Sequence, residues 1–464
     1  MSSSISGVGE KSPFFRPNIT RNGKRISRND RGFDYDRDSV YNNNNNNKTN
    51  KNKNNNNNNN NNTNDDEIQE HKSTIIGCSS NLINAIVGAG IVGIPYAIQE
   101  SGFLPGIVLI LFSGIVTEKS LRLLVETAKH SNVPSYETLM EACYGKYGFL
   151  FISINMFIIA YGAMLSYLMI IKDTFSTVLG IDETDVVQRR YILVIISIIP
   201  LLLSCQRDMA DLAITSKMNV VLDFIIVLLS PGVIPIPSSS SSYDVLSSSS
   251  ESSYLSSSSI LFQIQYKTIF IGLGVLSFAF VCQHSAFIIA GSLTKPTKER
   301  WSKVTKLGVY SSVSLAMLMG ICGYLGFSTS TTTTDTTTEE NNGHPPHHSQ
   351  RISGNILNSL PIDSNIANIA RGLLGITMLF VYPMESFVAR HSCVVLFFHG
   401  RQAHDGDDTS VLNRFDRRII VTFILYLLAV IPAALCNDLG IVLAIVGSIG
   451  GSCLSYIGPG IVYI

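Results

Sequence analysis

The stretch Asn81-Leu-Ile-Asn84-Ala-Ile-Val-Gly88-Ala89-Gly90-Ile-Val-Gly93-Ile-Pro95-Tyr96 lies in the middle of an apolar segment of a 464-residue chain. Three glycines and a proline fall within eight residues there, and each weakens a helix. In hydrocarbon a broken backbone is tolerated only where it is buried in protein or lines a cavity. The run therefore predicts a helix that unwinds at mid-depth. Its freed amide N–H groups at Gly88, Ala89 and Gly90 would meet a carboxylate, and its freed carbonyls a cation, with both half-helix dipoles assisting. The same small residues also suit close helix packing of the Gly-x-x-x-Gly kind. Spacing does not separate the two readings, and Asn81 and Asn84 favour a site.

Outward from that run the chain is apolar. Hydrophobic residues make up 45% and charged residues 15%, far from the roughly 25% charged of soluble domains. Lys plus Arg total 34 and Asp plus Glu total 34, so there is no basic field for nucleic acid, and none is expected as a partner. A spanning helix needs about 20 mostly apolar residues. Ten segments meet that requirement, near 75–98, 103–125, 148–171, 191–206, 217–236, 268–291, 307–327, 366–390, 418–436 and 439–461. The fold class predicted is an all-α polytopic membrane protein of about ten transmembrane helices. The fourth segment is the weakest, with 16 uncharged residues between Arg190 and Arg207.

Residues 1–72 carry Lys11, Arg16, Arg21, Lys24, Arg25, Arg28, Arg31 and Arg37 and then two Asn runs, and they read as a disordered tail. With that tail inside, the inner loops hold fourteen Lys and Arg and the outer loops five, so the N-terminus is expected in the cytoplasm. The Ser-rich stretch 237–267 and the Thr-rich loop 328–365, with His344, His347 and His348, read as flexible outer linkers rather than metal sites. Eight cysteines without a Cys-x-x-Cys pair argue against zinc or a disulfide framework.

The sixth segment, Gly272-Leu-Gly274-Val-Leu-Ser277-Phe278-Ala279-Phe280-Val-Cys282-Gln283-His284, repeats the pattern of early glycines and polar residues at mid-depth. Interrupted helices at corresponding places in two halves point to a transporter's binding site. The halves would be 73–236 and 268–464, and the second would offer Phe278, Ala279 and Phe280 to the substrate. Asp223, Glu385 and the pair Glu118 and Lys119 are charged groups within or beside spans, each in need of a partner or a water path. Glu118 and Lys119 read as snorkelling to the nearer surface. Glu385 has His284 or Arg390 as prospective partners, and an imidazole beside a carboxylate can carry a proton, so His284 and Glu385 are candidates for a proton or gating role. No phosphate loop, nucleophile elbow or His-Glu-x-x-His motif is present, so no enzyme is expected and any driving energy would come from an ion gradient.

Asn81 to Tyr96 resembles the first-span signature of the amino acid/auxin permease family. Ser277–His284, Ser292-Leu-Thr-Lys-Pro296-Thr with Trp301, and Tyr382-Pro-Met-Glu-Ser-Phe-Val-Ala-Arg390 are similar to the sodium-coupled neutral amino acid transporters, nearest their subgroup eleven. The resemblance covers residues 75–464. It implies a leucine-transporter-like core of two inverted five-helix repeats with alternating access. It also implies sodium-coupled symport of a small neutral amino acid, in the plasma membrane or an endolysosomal or vacuolar one. In that family a first-span asparagine and an eighth-span hydroxyl help hold the sodium ion, and Asn84 and Thr377 are the matching positions. Relatives carry eleven spans, whereas this chain stops at Ile464 after the tenth, so its end reads as truncated. A proton-coupled exporter of an acidic organelle, and an amino-acid sensor with little flux, are the remaining alternatives.

Overall fold

The structure, a computed structural model, describes residues 73–88, 90–131, 133, 135–182, 184–205, 213–233, 264–334, 352–360, 364–397 and 415–463. The expected tail 1–72, most of the Ser-rich linker, the three linker histidines and Ala89 lie outside the described residues. Every regular element is a helix, apart from one β-bridge between Ser73 and Leu293.

The first expected span is two helices, α1 (Ile75–Val87) and α2 (Gly90–Ser101), bent by 49° across the break. Thr74 caps α1, its hydroxyl accepting from the Gly77 N–H at 3.2 Å. Helix α3 covers Phe103–Ser131. Helix α4, Tyr136–Val178, starts twelve residues before the expected third span and kinks at Gly145, whose φ of 62° needs glycine. The fourth span is secure: α5 (Val186–Ile196) and α6 (Ile198–Ser204) together make a 19-residue apolar helix. It starts earlier than expected because its two arginines are engaged. Arg189 pairs with Asp173 at 2.7 Å, and Arg190 donates to the Ala434 carbonyl at 3.1 Å.

Helix α7 spans Ala213–Val233. The sixth span is again two helices, α8 (Ile269–Ala279) and α9 (Gln283–Ser292). Helix α10 (Lys298–Thr334) begins nine residues before the expected seventh span and runs into the expected Thr-rich linker. That linker also holds a 3-10 turn at Ile356–Ser359, so part of it is ordered. Helices α11 (Asn365–Phe397) and α12 (Phe415–Leu435) follow. The last span is α13 (Leu439–Val446), then two π-helical turns at Gly447–Gly451 and Cys453–Ile457, then α14 (Gly458–Tyr463).

Among the described residues seven helices are long and apolar enough to cross a membrane, or eight when the bent pair α1–α2 counts as one span. Helices α3 and α7 occupy the second and fifth expected spans but fall short of that measure. Glu118, Lys119 and Arg122 lie in α3, and within α7 the stretch Met218–Leu229 is apolar. The surface is apolar where lipid would lie: Phe112 and Ile115 on α3, Ile195 and Leu202 on the fourth span, and Phe423, Leu427 and Ile431 on α12 are all exposed. The polar side chains are inside instead, which is the arrangement a bilayer selects. The chain is an integral multi-pass membrane protein.

Helix α8 packs on α2 and α13, and α11 packs most heavily on α4. Glycine makes the α8–α13 contact possible. A Cβ on Gly447 would stand 2.7 Å from the Phe278 N and closer still to the Gly274 carbonyl oxygen. Gly272 and Gly274, expected to weaken the sixth span, sit inside α8 and serve packing: Gly272 meets Ser101 and Ala97, and Gly274 meets Ser448 and Ala444.

Candidate functional site

The helix breaks build the site. Helix α1 ends with the Gly88 N–H still bonded to the Asn84 carbonyl at 3.3 Å, and α2 starts at Gly90. The second break falls at residues 280–282, just after Ala279, rather than at the glycines upstream. The two breaks touch. A Cβ on Gly90 would lie 2.6 Å from the Ala279 Cβ, so only glycine lets the chains approach this closely. Tyr167 of α4 closes the side, its hydroxyl 3.1 Å from where a Gly88 Cβ would be. Phe278, Ala279 and Phe280 are buried at 7%, 4% and 1% exposure, so the junction is closed to solvent.

Side chains meet some of the backbone groups freed at the second break. The Cys282 N–H donates to Gln283 Oε1 at 3.0 Å, which also accepts from the Ser455 hydroxyl at 2.9 Å. Gln283 Nε2 donates to Ser120 at 3.2 Å, and the Thr117 hydroxyl donates to the Phe280 carbonyl at 3.4 Å. Sequence reasoning missed Thr117, Ser120, Gln283 and Ser455 as supports of the break. Polar residues recurring at helical spacing on α3, at 113, 117 and 120, were the available signal.

Asn84 is 2% exposed, and its Oδ1 has no hydrogen-bond partner among the described residues. A buried amide oxygen left this way costs about 1–3 kcal/mol. Thr377 is fully buried but bonds its hydroxyl to its own helix, at Leu373 O, 3.0 Å away. No hydrogen bond brings Asn84 and Thr377 together among the described residues.

His284 and Glu385 do meet, Nε2 to Oε1 at 3.3 Å, with both side chains 3% exposed. His284 Nδ1 and Glu385 Oε2 are left without partners. Arg390, the other prospective partner of Glu385, instead donates to the Ser204 carbonyl and the Thr422 hydroxyl, each at 3.0 Å. Glu118 does not snorkel. It is buried at 1% and held by Arg122 at 3.3 Å and Lys119 at 3.7 Å, while Lys119 alone reaches out. A shallow recess beside the end of α9, framed by Val125, Ala290, Leu293 and Trp301, includes none of the expected site residues.

The sequence profile of transmembrane amino acid transporter proteins matches residues 71–343 and 349–464. The chain belongs to that family. As a member it is a secondary active amino-acid transporter and not an enzyme. The Bos taurus protein provisionally named sodium-coupled neutral amino acid transporter 11 is 29% identical over 410 residues, covering 86% of this chain and 78% of its own. Vacuolar amino acid transporter 2 of Saccharomyces cerevisiae is 28% identical over 405 residues, covering 85% and 77%. Among solved structures, the substrate-bound outward-open state of a Na+-coupled sialic acid symporter superposes with a TM-score of 0.51 at 9% identity, covering 78% of this chain and 73% of that one. That likeness is one of fold.

Proposed function

We propose that this transporter moves small neutral amino acids inward by sodium symport. The observation that supports the reading is the contact of Gly90, at the start of α2, with Ala279, at the end of α8, where both spans are interrupted. Backbone N–H groups at the end of one half-helix bind the substrate carboxylate, and carbonyls at the end of another bind its ammonium group. Asn84 supplies an oxygen to the sodium ion, and Thr377 joins it when α11 moves closer. In this account residues 73–236 and 268–464 are inverted five-helix repeats, making ten spans with α3 and α7 included. The basic segment 1–72 lies on the cytoplasmic side, and 237–267 and 328–365 are outer linkers. Support comes from the inward charge bias, the family and the sodium-coupled name of the Bos taurus relative.

Purified protein in vesicles, given a panel of labelled neutral amino acids, tests this. Uptake is expected to require an inward sodium gradient. Uptake unchanged when both sodium and proton gradients are removed would contradict ion coupling. Within the panel, Asn84→Ala is expected to raise the sodium concentration for half-maximal uptake about tenfold, the worth of one good oxygen ligand, while changing the maximal rate less. An unaltered sodium dependence would remove Asn84 from the site.

The His284–Glu385 pair favours a second reading, a proton-coupled exporter of an acidic organelle, in line with the vacuolar name of the yeast relative. Here Glu385→Gln is expected to abolish the pH dependence of flux. A flux that follows pH as before in that variant contradicts the reading.

A further inference from the structure

Helix α7 has two faces. Val221, Phe224 and Leu228 are more than half exposed, as suits a lipid-facing surface. Asn219 and Asp223 are each 1% exposed, and four residues apart they stand one above the other on the inner face. That face packs against α1, α10 and α11. Both carboxylate oxygens of Asp223 and both polar atoms of the Asn219 amide lack hydrogen-bond partners among the described residues. No Lys, Arg or His pairs with Asp223 there, and no hydrogen bond joins it to Asn219.

An ionised carboxylate without a partner is among the most costly groups a bilayer-spanning protein can hold. Its presence calls for a compensating positive charge. One carboxylate carries one unit, which matches a monovalent cation, and a divalent ion would need further acidic ligands. Three unpartnered oxygens, two from Asp223 and one from Asn219, are the hard donors an alkali cation takes. A proton neutralises Asp223 through one oxygen but leaves the Asn219 amide oxygen without a partner, whereas a cation takes both. The place adjoins the first break, because the inner face of α7 packs against α1, the helix that ends there.

We propose that Asn219 and Asp223 form a second alkali-cation site, for sodium, separate from Asn84 and carried on the fifth span. It goes beyond the symport reading, since it adds an ion and assigns it a location. An ion there neutralises the inner face of α7 and holds it against α1 and α11, so its occupancy biases the bundle in which the first break opens.

Radiosodium binding to the detergent-purified full chain, read by scintillation proximity, tests the site without requiring flux. Asp223→Asn keeps shape and removes charge, and it is expected to lose one of the bound ions at saturation. Asn219→Ala is expected to weaken that same component about tenfold. Sodium binding equal to the wild type in both variants overturns the proposal, as does unchanged sodium binding with altered proton release on titration. Should Asp223→Asn not elute as a monodisperse peak, Asn219→Ala alone decides. Asn84→Ala in parallel keeps the two readings apart: loss there with retention in the α7 variants upholds the symport reading and removes the second site, and the reverse pattern does the opposite.

Discussion

Gly90 is the residue on which the site's geometry rests most plainly. A methyl group there would stand 2.5 Å from the Ala279 Cα, and backbone cannot swing away as a flexible side chain can. Overpacking of this kind costs about 1–3 kcal/mol. Gly90→Ala is therefore expected to fold with a lowered Tm and to lose most uptake, because it holds the two breaks apart. Gly372 in α11 is the control, since a Cβ there meets nothing within 4 Å. Gly372→Ala is expected to retain uptake and to keep or slightly raise the Tm, alanine being the better helix former by about 1 kcal/mol. Equal behaviour of the two variants in uptake and thermal unfolding would contradict the close approach.

At the scale of elements, buried cations fasten helix ends. Arg371, fully buried, donates to the Leu357 carbonyl at 2.9 Å, the Leu360 carbonyl at 2.6 Å and the Asn368 side chain at 2.6 Å, pinning the 3-10 turn onto α11. Lys172 similarly reaches the Ala433 and Cys436 carbonyls at 2.8 Å and 2.6 Å, closing the end of α12. Arg371→Met removes the guanidinium from the Leu357 and Leu360 carbonyls, leaving the first only its Leu360 N–H, and a loss of about 1–3 kcal/mol is expected, seen as a lowered Tm in detergent. An unchanged Tm would mean the turn is held by other contacts. Neither fastening was legible in the sequence, because the carbonyls that Arg371 and Lys172 reach lie outside their own helices. Hydropathy reports which segments avoid water, and so the helices fall where the apolar runs are. It is blind to partners far along the chain, and this is why the Arg189 and Arg190 contacts that lengthen the fourth span, the kink at Gly145 and the π turns after Gly447 went unread. The first break was legible because its glycines and proline act locally. The second was expected at residues 278–280 and falls at 280–282, after Ala279, because Gly272 and Gly274 pack helices instead of breaking one. Asn219 carried a signal that was passed over, four residues from Asp223 on one helix face.

For the whole molecule, the closed junction defines what motion transport needs. The chain from Ser73 bridges to the end of the other broken helix, its N–H donating to the Ser292 carbonyl at 2.7 Å and its carbonyl accepting from the Thr294 N–H at 3.0 Å. The beginnings of one interrupted span and the ends of the other are thus tied at one edge, and they separate or move as a unit. Helices α8 and α13 lie glycine on glycine and pass rigidly on what one of them does. Under the symport reading, substrate enters only after Phe278 and Tyr167 draw apart, and the sodium ligands come together as α11 approaches α1. The most direct test is a cryo-electron-microscopy structure of the full chain in sodium with the amino acid that gives the highest uptake. The account predicts substrate density between residues 88–90 and 278–280, with the helices interrupted on either side. Density for that amino acid elsewhere, with the first and sixth spans continuous through the bilayer, would contradict it.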